Sequence, residues 1–218
     1  MAQIFLPRAD TVFRALLVLA LAVPAGSVAA LFILARSDYM TGRNRTPPQP
    51  VMFSHRHHVS EVGIDCRYCH GGVEDSAVAG IPPTETCMTC HSQLFTEADM
   101  LAPVRQSWTS GERLRWSRVH DLPDYVFFDH SVHLAGGVAC TTCHGPVGEM
   151  RLTRQEAPLT MEWCLSCHRD PAPRLSPRSA LFAPLPPTGG EPAETGHALL
   201  EDYGIDTRGL TDCSACHR

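Results

Sequence analysis

The sequence predicts a mostly irregular domain with short α-helices, built around covalently attached groups instead of a conventional apolar core, and preceded by one transmembrane helix. Three observations predict this class. The motif Cys-x-x-Cys-His occurs five times and uses all ten cysteines. Eighteen prolines and sixteen glycines among 218 residues favour irregular backbone. A run of 21 residues without a charge lies near the amino terminus and is long enough to cross a bilayer.

The repeated motif is typical of covalent c-type haem attachment. Two thiols add to the vinyl groups on one edge of the porphyrin, and the histidine that follows lies beneath the iron as its proximal ligand. The sequence therefore predicts a multihaem cytochrome c with five haem c groups and a haem-dominated core. The attachment residues are Cys66, Cys69, Cys87, Cys90, Cys140, Cys143, Cys164, Cys167, Cys213 and Cys216, and the proximal ligands are His70, His91, His144, His168 and His217.

Zinc is the alternative to haem at these cysteines. Seventeen residues separate Cys69 from Cys87 and twenty separate Cys143 from Cys164, which fits the spacing of zinc ribbons. However, a site of four cysteines does not need the histidine that ends every motif, and the fifth pair has no partner pair. Haem is therefore the favoured interpretation.

Five haems in one small domain must lie close together. A compact chain of about 170 residues, the length left after the apolar segment and its flanks, has a radius of gyration of ~15 Å. Neighbouring rings are then in near contact, and because electron tunnelling falls off exponentially with distance, this crowding predicts an electron relay.

Charge and composition limit the partners. The formal charge is −5, all eighteen basic residues are arginine, and no basic run indicates nucleic acid. Arginine suits bidentate pairing with haem propionates, although composition bias is the favoured explanation of the missing lysine.

Residues 15–35 are predicted to form an uncleaved transmembrane anchor, bracketed by Arg14 and Arg36. A signal peptide cleaved near residues 28–30 is the alternative, but the apolar run continues through residues 31–34. Arginine counts do not decide the orientation. Since haem is attached outside the cytoplasm, we expect the haem domain in the periplasm, on the inner (cytoplasmic) membrane. The expected organisation is a cytoplasmic head (1–14), the anchor (15–35), a Pro-rich tether (36–50) and a pentahaem domain (51–218).

An internal repeat divides the pentahaem domain. The pattern Phe-x-His-x-x-His precedes two haem motifs in each of two units, and matching features are about 75 residues apart. A glycine, Gly63 or Gly137, lies three residues before the first cysteine in both units. The units cover residues 51–108 and 119–175, and a tail, 176–218, carries the fifth motif.

Seven of the twelve histidines lie outside the motifs and are candidates for the distal iron ligands. Four occupy matched positions of the repeat, which favours them: His55, His58, His130 and His133. His120, in the segment between the units, is the fifth candidate. His57 has no counterpart in the second unit and is expected to be solvated, and His197 in the tail is the alternative to His120.

The paired pattern Phe-x-His-x-x-His and Cys-x-x-Cys-His resembles the cytochrome c3/c7 family of low-potential multihaem cytochromes over residues 53–91 and 128–168. In that family the first histidine ligates the haem attached next and the second ligates a neighbouring haem. The resemblance implies four axial pairs and leaves His120 for His217. The implied pairs are His55 with His70, His58 with His91, His130 with His144, and His133 with His168.

With the apolar segment and five motifs, the stretches GIDCRYCHGGVEDSAVAGIPPTETCMTCH and VHDLPDYVFFDHSVHL look like the pentahaem subunits of alternative complex III. This resemblance implies a membrane complex that oxidises menaquinol. It also implies three partners: an iron–sulfur, molybdopterin-like subunit, a multi-helix quinol-binding membrane subunit and a monohaem cytochrome c.

The leading function is therefore an electron-transfer subunit, not itself an enzyme, that relays electrons towards a periplasmic cytochrome or terminal oxidase. A membrane-anchored multihaem quinol dehydrogenase that feeds a periplasmic reductase is the alternative. A nitrite or hydroxylamine reductase is less favoured, because such an enzyme needs one iron with an open distal position and here candidate ligands outnumber the haems.

Overall fold

The computed structural model describes residues 7–186 and 193–217. It divides the chain into a unit that ends at Gly42 and a unit that begins at Arg43. Residues 1–6 of the expected head, and residues 187–192 and Arg218 of the expected tail, lie outside the described residues.

The first unit consists of helix α1 (Pro7–Ala35) and the short helix α2 (Asp38–Thr41). Residues Arg8–Ala35 have a mean hydropathy of 2.5, and α1 continues through Pro24. The helix begins well before the predicted apolar run, where Asp10 and Arg14 form an ion pair of 3.0 Å one turn apart. Within the described part of the chain, α1 alone is long and apolar enough to span a membrane.

The second unit is made of short helices joined by irregular segments. Its longer helices are a π-helix (Arg56–Glu61), α3 (Cys66–Cys69), α4 (Thr84–His91), α5 (Ala102–Ser110), α6 (His130–Ala135), α7 (Cys140–His144), α8 (Met161–Arg169), α9 (Ala193–Asp202) and α10 (Cys213–Cys216). Single 3₁₀ turns occur at Asp99–Leu101, Val147–Glu149, Ala172–Arg174 and Arg178–Ala180. Extended pairing in the described ranges is limited to two antiparallel bridges, Val126 with His217 and Val138 with Leu175.

The sequence repeat is also a structural repeat, with one difference. In the second copy of the sequence repeat, α6 starts directly at His130, and the Asp129 carboxylate accepts hydrogen bonds from the amides of Ser131 and Val132. In the first copy of the repeat, the matching segment is the π-helix. One residue more separates His58 from Gly63 than separates His133 from Gly137. The wider π-turn accommodates this one extra residue in the first copy of the repeat.

The apolar core of the second unit is small. Val73, Leu134, Ala139 and Leu181 form its buried cluster, with Phe182 packed against it. A domain of this size normally buries far more aliphatic surface. The haem-dominated core stays a prediction, and the small cluster agrees with it.

The end of the expected tether is held on the second unit. The Asn44 amide donates to the carbonyl of Gln155 at 2.7 Å, and the Gln155 amide donates to the carbonyl of Arg45 at 3.0 Å. The Gln49 side chain makes a similar reciprocal pair with the backbone of Ser117. Residues 43–49 are therefore held on the second unit by these hydrogen bonds.

Candidate haem sites

Every Cys-x-x-Cys-His motif lies on a helix, namely α3, α4, α7, α8 or α10. The two cysteines are three residues apart, so one helical turn places both thiols on the same side. Local caps fix where two of these helices begin. The Asp65 carboxylate accepts from the amide of Arg67 at 2.8 Å ahead of α3, and the Thr160 hydroxyl accepts from the amide of Trp163 at 3.3 Å ahead of α8.

Four of the five motif histidines are oriented by a backbone carbonyl. Their Nδ1–H groups donate to the carbonyls of Gly80 (His70, 2.7 Å), Leu94 (His91, 3.2 Å), Leu210 (His168, 2.8 Å) and Tyr125 (His217, 3.2 Å). A proton held on Nδ1 leaves the lone pair on Nε2, which is the state that binds a metal. Sequence reasoning did not find these carbonyls, because they come from loops between the motifs.

The repeat histidines are oriented in the same way. Nδ1 donates to the carbonyl of Ser54 in His58 (2.9 Å), of Ala77 in His130 (2.8 Å) and of Asp129 in His133 (2.7 Å). His55 uses a side chain instead, since its Nδ1 lies 3.0 Å from the hydroxyl of Thr153. Sequence reasoning did not find Thr153, which is nearly a hundred residues away.

The phenylalanine of the repeated pattern has a structural role. Phe53 stacks on His58 with ring centroids 4.4 Å apart and meets His55 edge-on at 5.0 Å. Phe128 has the same relation to His133 and His130, at 4.4 and 4.8 Å. One aromatic ring thus fixes the angle between two imidazoles one helical turn apart, so that they face in different directions.

The structure brings the repeat histidines opposite motif histidines in four pairs. The centroid distances and interplanar angles are 6.4 Å and 9° for His55 with His70, 6.2 Å and 70° for His58 with His91, 6.5 Å and 15° for His130 with His144, and 6.1 Å and 39° for His133 with His168. These are the four pairs that the family resemblance implies.

The pair distances fit a shared iron. Two imidazoles on one metal, each with a metal–nitrogen bond of about 2.0–2.1 Å and a nitrogen about 1.2 Å from its ring centre, have centroids ~6.4 Å apart. The four observed values lie between 6.1 and 6.5 Å. The residues present therefore fit haem groups held by two cysteines and two axial histidines at these sites.

Burial keeps several of these imidazoles neutral. It lowers the pKa of His144 to about 3, with a smaller contribution from His120 and other nearby imidazoles. Burial likewise lowers the pKa of His55 to about 4, assisted by His70. A neutral imidazole at physiological pH is a ligand ready for iron, because no proton has to leave when the metal binds.

The fifth motif is built differently. His217 pairs its backbone with Val126, and the ring that lies over it, at 6.0 Å and 28°, is that of Tyr125. In the described ranges no histidine ring contacts that of His217. The structure thus does not bring the suggested pair His120 and His217 together.

The five haem sites are numbered here by the order of their motifs along the chain. His120 lies beside the third site, that of His144. Its ring contacts that of His144 with centroids 4.2 Å apart and an angle of 69°. Its Nε2 is buried without a hydrogen-bond partner, and burial lowers its pKa to about 4. His57 is exposed and donates to the Glu61 carboxylate at 3.0 Å, and His197 is exposed on α9.

The thiols do not converge in the way that zinc requires. Within residues 7–186 and 193–217, no group of three or more histidine, cysteine, aspartate or glutamate side chains is placed to hold a metal ion. A zinc ribbon needs four such ligands around one point.

Two comparisons with known proteins agree with this geometry. Residues 126–218 match the family model described as cytochrome c7 and related cytochrome c. The chain is also similar to the menaquinone reductase multiheme cytochrome c subunit of Nitratidesulfovibrio vulgaris strain Hildenborough. The two are 31% identical over 170 residues, which cover 78% of this chain and 67% of the relative. The chain belongs to the family of multihaem c-type cytochromes related to cytochrome c7.

Proposed function

We propose that this chain is the membrane-anchored pentahaem electron-relay subunit of a quinol-oxidising complex of the alternative complex III type. The observation that carries the proposal is the set of four imidazole pairs at the spacing of a shared iron. When bound, a c-type haem supplies a reversible one-electron redox centre.

The chain's own residues hold and tune these centres. Paired cysteines would hold each haem covalently, and at four sites two histidines would hold its iron. A haem held in this way would supply electron transfer and not bond chemistry on a substrate. Burial and the carbonyl partners of Nδ1 then set ligand basicity, and with it the redox potential.

The membrane arrangement follows from the same chemistry. Because haem is attached outside the cytoplasm, we place α1 across the inner membrane with the second unit in the periplasm. One helix cannot enclose a quinone head group. We therefore propose a multi-helix membrane subunit that binds quinol, an iron–sulfur, molybdopterin-like subunit, and a monohaem cytochrome c that carries electrons onward.

The name of the relative raises a second possibility, namely electron flow into menaquinone instead of out of quinol. Haems at these sites would carry electrons in either direction. The reduction potentials of the haems relative to that of the quinone decide the direction of electron flow. A multihaem quinol dehydrogenase that feeds a periplasmic reductase remains the alternative on the oxidising side.

The test compares the isolated subunit with the native complex. Dithionite is expected to reduce both, whereas a menaquinol analogue should reduce the haems only in the complex. Rapid reduction of the isolated subunit by quinol would contradict the relay and favour the quinol dehydrogenase. A redox titration of the complex, followed in the haem α-band, then determines whether the potentials favour flow from quinol or towards menaquinone.

A further inference from the structure

We propose that the five attachment sites form an unbranched row in the spatial order second, first, third, fourth, fifth, and that the second and fifth sites are the points of electron exchange with partner proteins. The inference rests on the proposed function. It follows from contacts between the motifs themselves, and it differs from the order of the motifs along the chain.

The first and second sites are joined directly. The hydroxyl of Tyr68 lies 2.9 Å from that of Thr89, and each is the residue just before the second cysteine of its motif. The π-helix segment also supplies a ring to both sites, since His55 faces His70 and His58 faces His91.

The first and third sites are joined through residues 181–182. The backbone of residues 181–182 lies beside both Cys66 and Cys140, because Leu181 accepts from the Cys140 amide at 3.1 Å and Phe182 accepts from the Cys66 thiol at 3.8 Å. Two attachment points beside the same two residues bring the edges of the attached groups together here.

The third site leads to the fourth through α6. His130 and His133 lie one turn apart on this helix and face His144 and His168 respectively. This junction repeats the one between the first and second sites.

The fourth and fifth sites are joined through the tail. Nδ1 of His168 donates to the carbonyl of Leu210, three residues before the fifth motif begins. In the described part of the chain, no hydrogen bond links the second motif to the third, fourth or fifth, so the row does not branch there.

The solvent exposure of the cysteines points to the same two ends of the row. Of the ten cysteines, Cys90 and Cys213 are exposed and the others are partly buried. They belong to the second and fifth motifs. Electron transfer between proteins needs a redox centre near the surface, so these two sites fit a redox protein as partner, whereas the third site, between two neighbours, does not.

The order is tested by redox titration of the purified native complex, with each low-spin iron followed by EPR. The variants His58→Met and His130→Met each replace one distal ligand, and methionine raises the potential of that iron. An iron that is reduced early lowers the apparent potentials of its direct neighbours. His130→Met is expected to shift two other irons, whereas His58→Met is expected to shift one.

Intact mass and retained low-spin signals show that each variant still carries its haems. A shift of two other irons in His58→Met, of fewer than two in His130→Met, or of none in either variant would overturn the row. These results leave the relay function standing. Loss of quinol-dependent reduction in the unmodified complex would instead contradict the proposed function.

Cross-linking tests the two ends. The chain has no lysine, so a carbodiimide joins its carboxylates to amines of its neighbours in the intact complex. Exposed Glu85 beside the second motif and exposed Asp212 beside the fifth are expected to form links to redox partner subunits. Exposed Asp75, near the first site, is the matched control. Links from Asp75 to the redox partners, with none from Glu85 or Asp212, would overturn the assignment of the ends.

Discussion

His120 packs against His144 with ring centroids 4.2 Å apart, and its Nε2 is buried without a partner. An unpaired buried nitrogen costs roughly 1–3 kcal/mol unless something binds it, and an iron ion is the partner that this family offers. His120 therefore stays a predicted distal ligand for the iron at His217. The structure places it beside His144, too close to share an iron with that ring, and not opposite His217.

The first prediction is that His120→Ala converts one iron from low spin to high spin. Loss of the axial nitrogen leaves that iron five-coordinate, and low-temperature EPR of the purified protein shows the new signal. His57→Ala is the control, because His57 is exposed and paired with Glu61; we expect its spectrum to match the unmodified protein. If His120→Ala leaves every iron low-spin while His197→Ala does not, the ligand comes from the tail.

The second prediction concerns the number of haems. We expect the intact mass of the purified chain to exceed that of the polypeptide by five haem groups, with no zinc. The physical reason is that the two cysteines lie on one helical turn in all five motifs, with the histidine directly after them. Cys213→Ser with Cys216→Ser should remove one haem and leave four. A protein of bare polypeptide mass that contains two zinc ions would contradict the haem assignment.

The third prediction concerns topology. Protease added to spheroplasts is expected to digest the second unit, because the haem domain is predicted to be periplasmic and α1 to cross the membrane. Haem-stained gels show whether the domain is lost. A cytoplasmic marker protein that remains intact is the control for sealed cells, and full protection of the haem domain would reverse the proposed orientation.

The fourth prediction uses the two matched glycines of the repeat. Both have φ of +83°, but an added Cβ meets nothing within 4 Å at Gly63, whereas at Gly137 it would overlap the Tyr203 ring. Gly63→Ala should therefore cost about 1 kcal/mol of backbone strain. Gly137→Ala should cost roughly 2–4 kcal/mol, because the Tyr203 side chain, which donates to the carbonyl of Ser176, must also move.

Thermal unfolding of the purified full-length variants, followed by the Soret band, measures this difference. Equal midpoints for the two variants would show that the packing of Tyr203 does not stabilise the fold.

Short-range chemistry in this protein could be predicted from the sequence. The spacing of Cys66 and Cys69 places two thiols on one helical turn wherever it occurs. The repeated Phe-x-His-x-x-His pattern identified four histidines that the structure places opposite motif histidines, and 21 uncharged residues were enough to predict a helix that can span a membrane. Membership of the cytochrome c7-related family, which the sequence motifs indicated, is confirmed by the comparisons.

The long-range contacts were decided by the tertiary structure. The position of His120 beside His144, the hydroxyl of Thr153 at His55 and the contacts of Cys66 and Cys140 with residues 181–182 all join residues far apart in the chain. No local spacing encodes such contacts, because they depend on how irregular segments fold back on one another. For the same reason the spatial order that we propose for the sites departs from their order in the sequence.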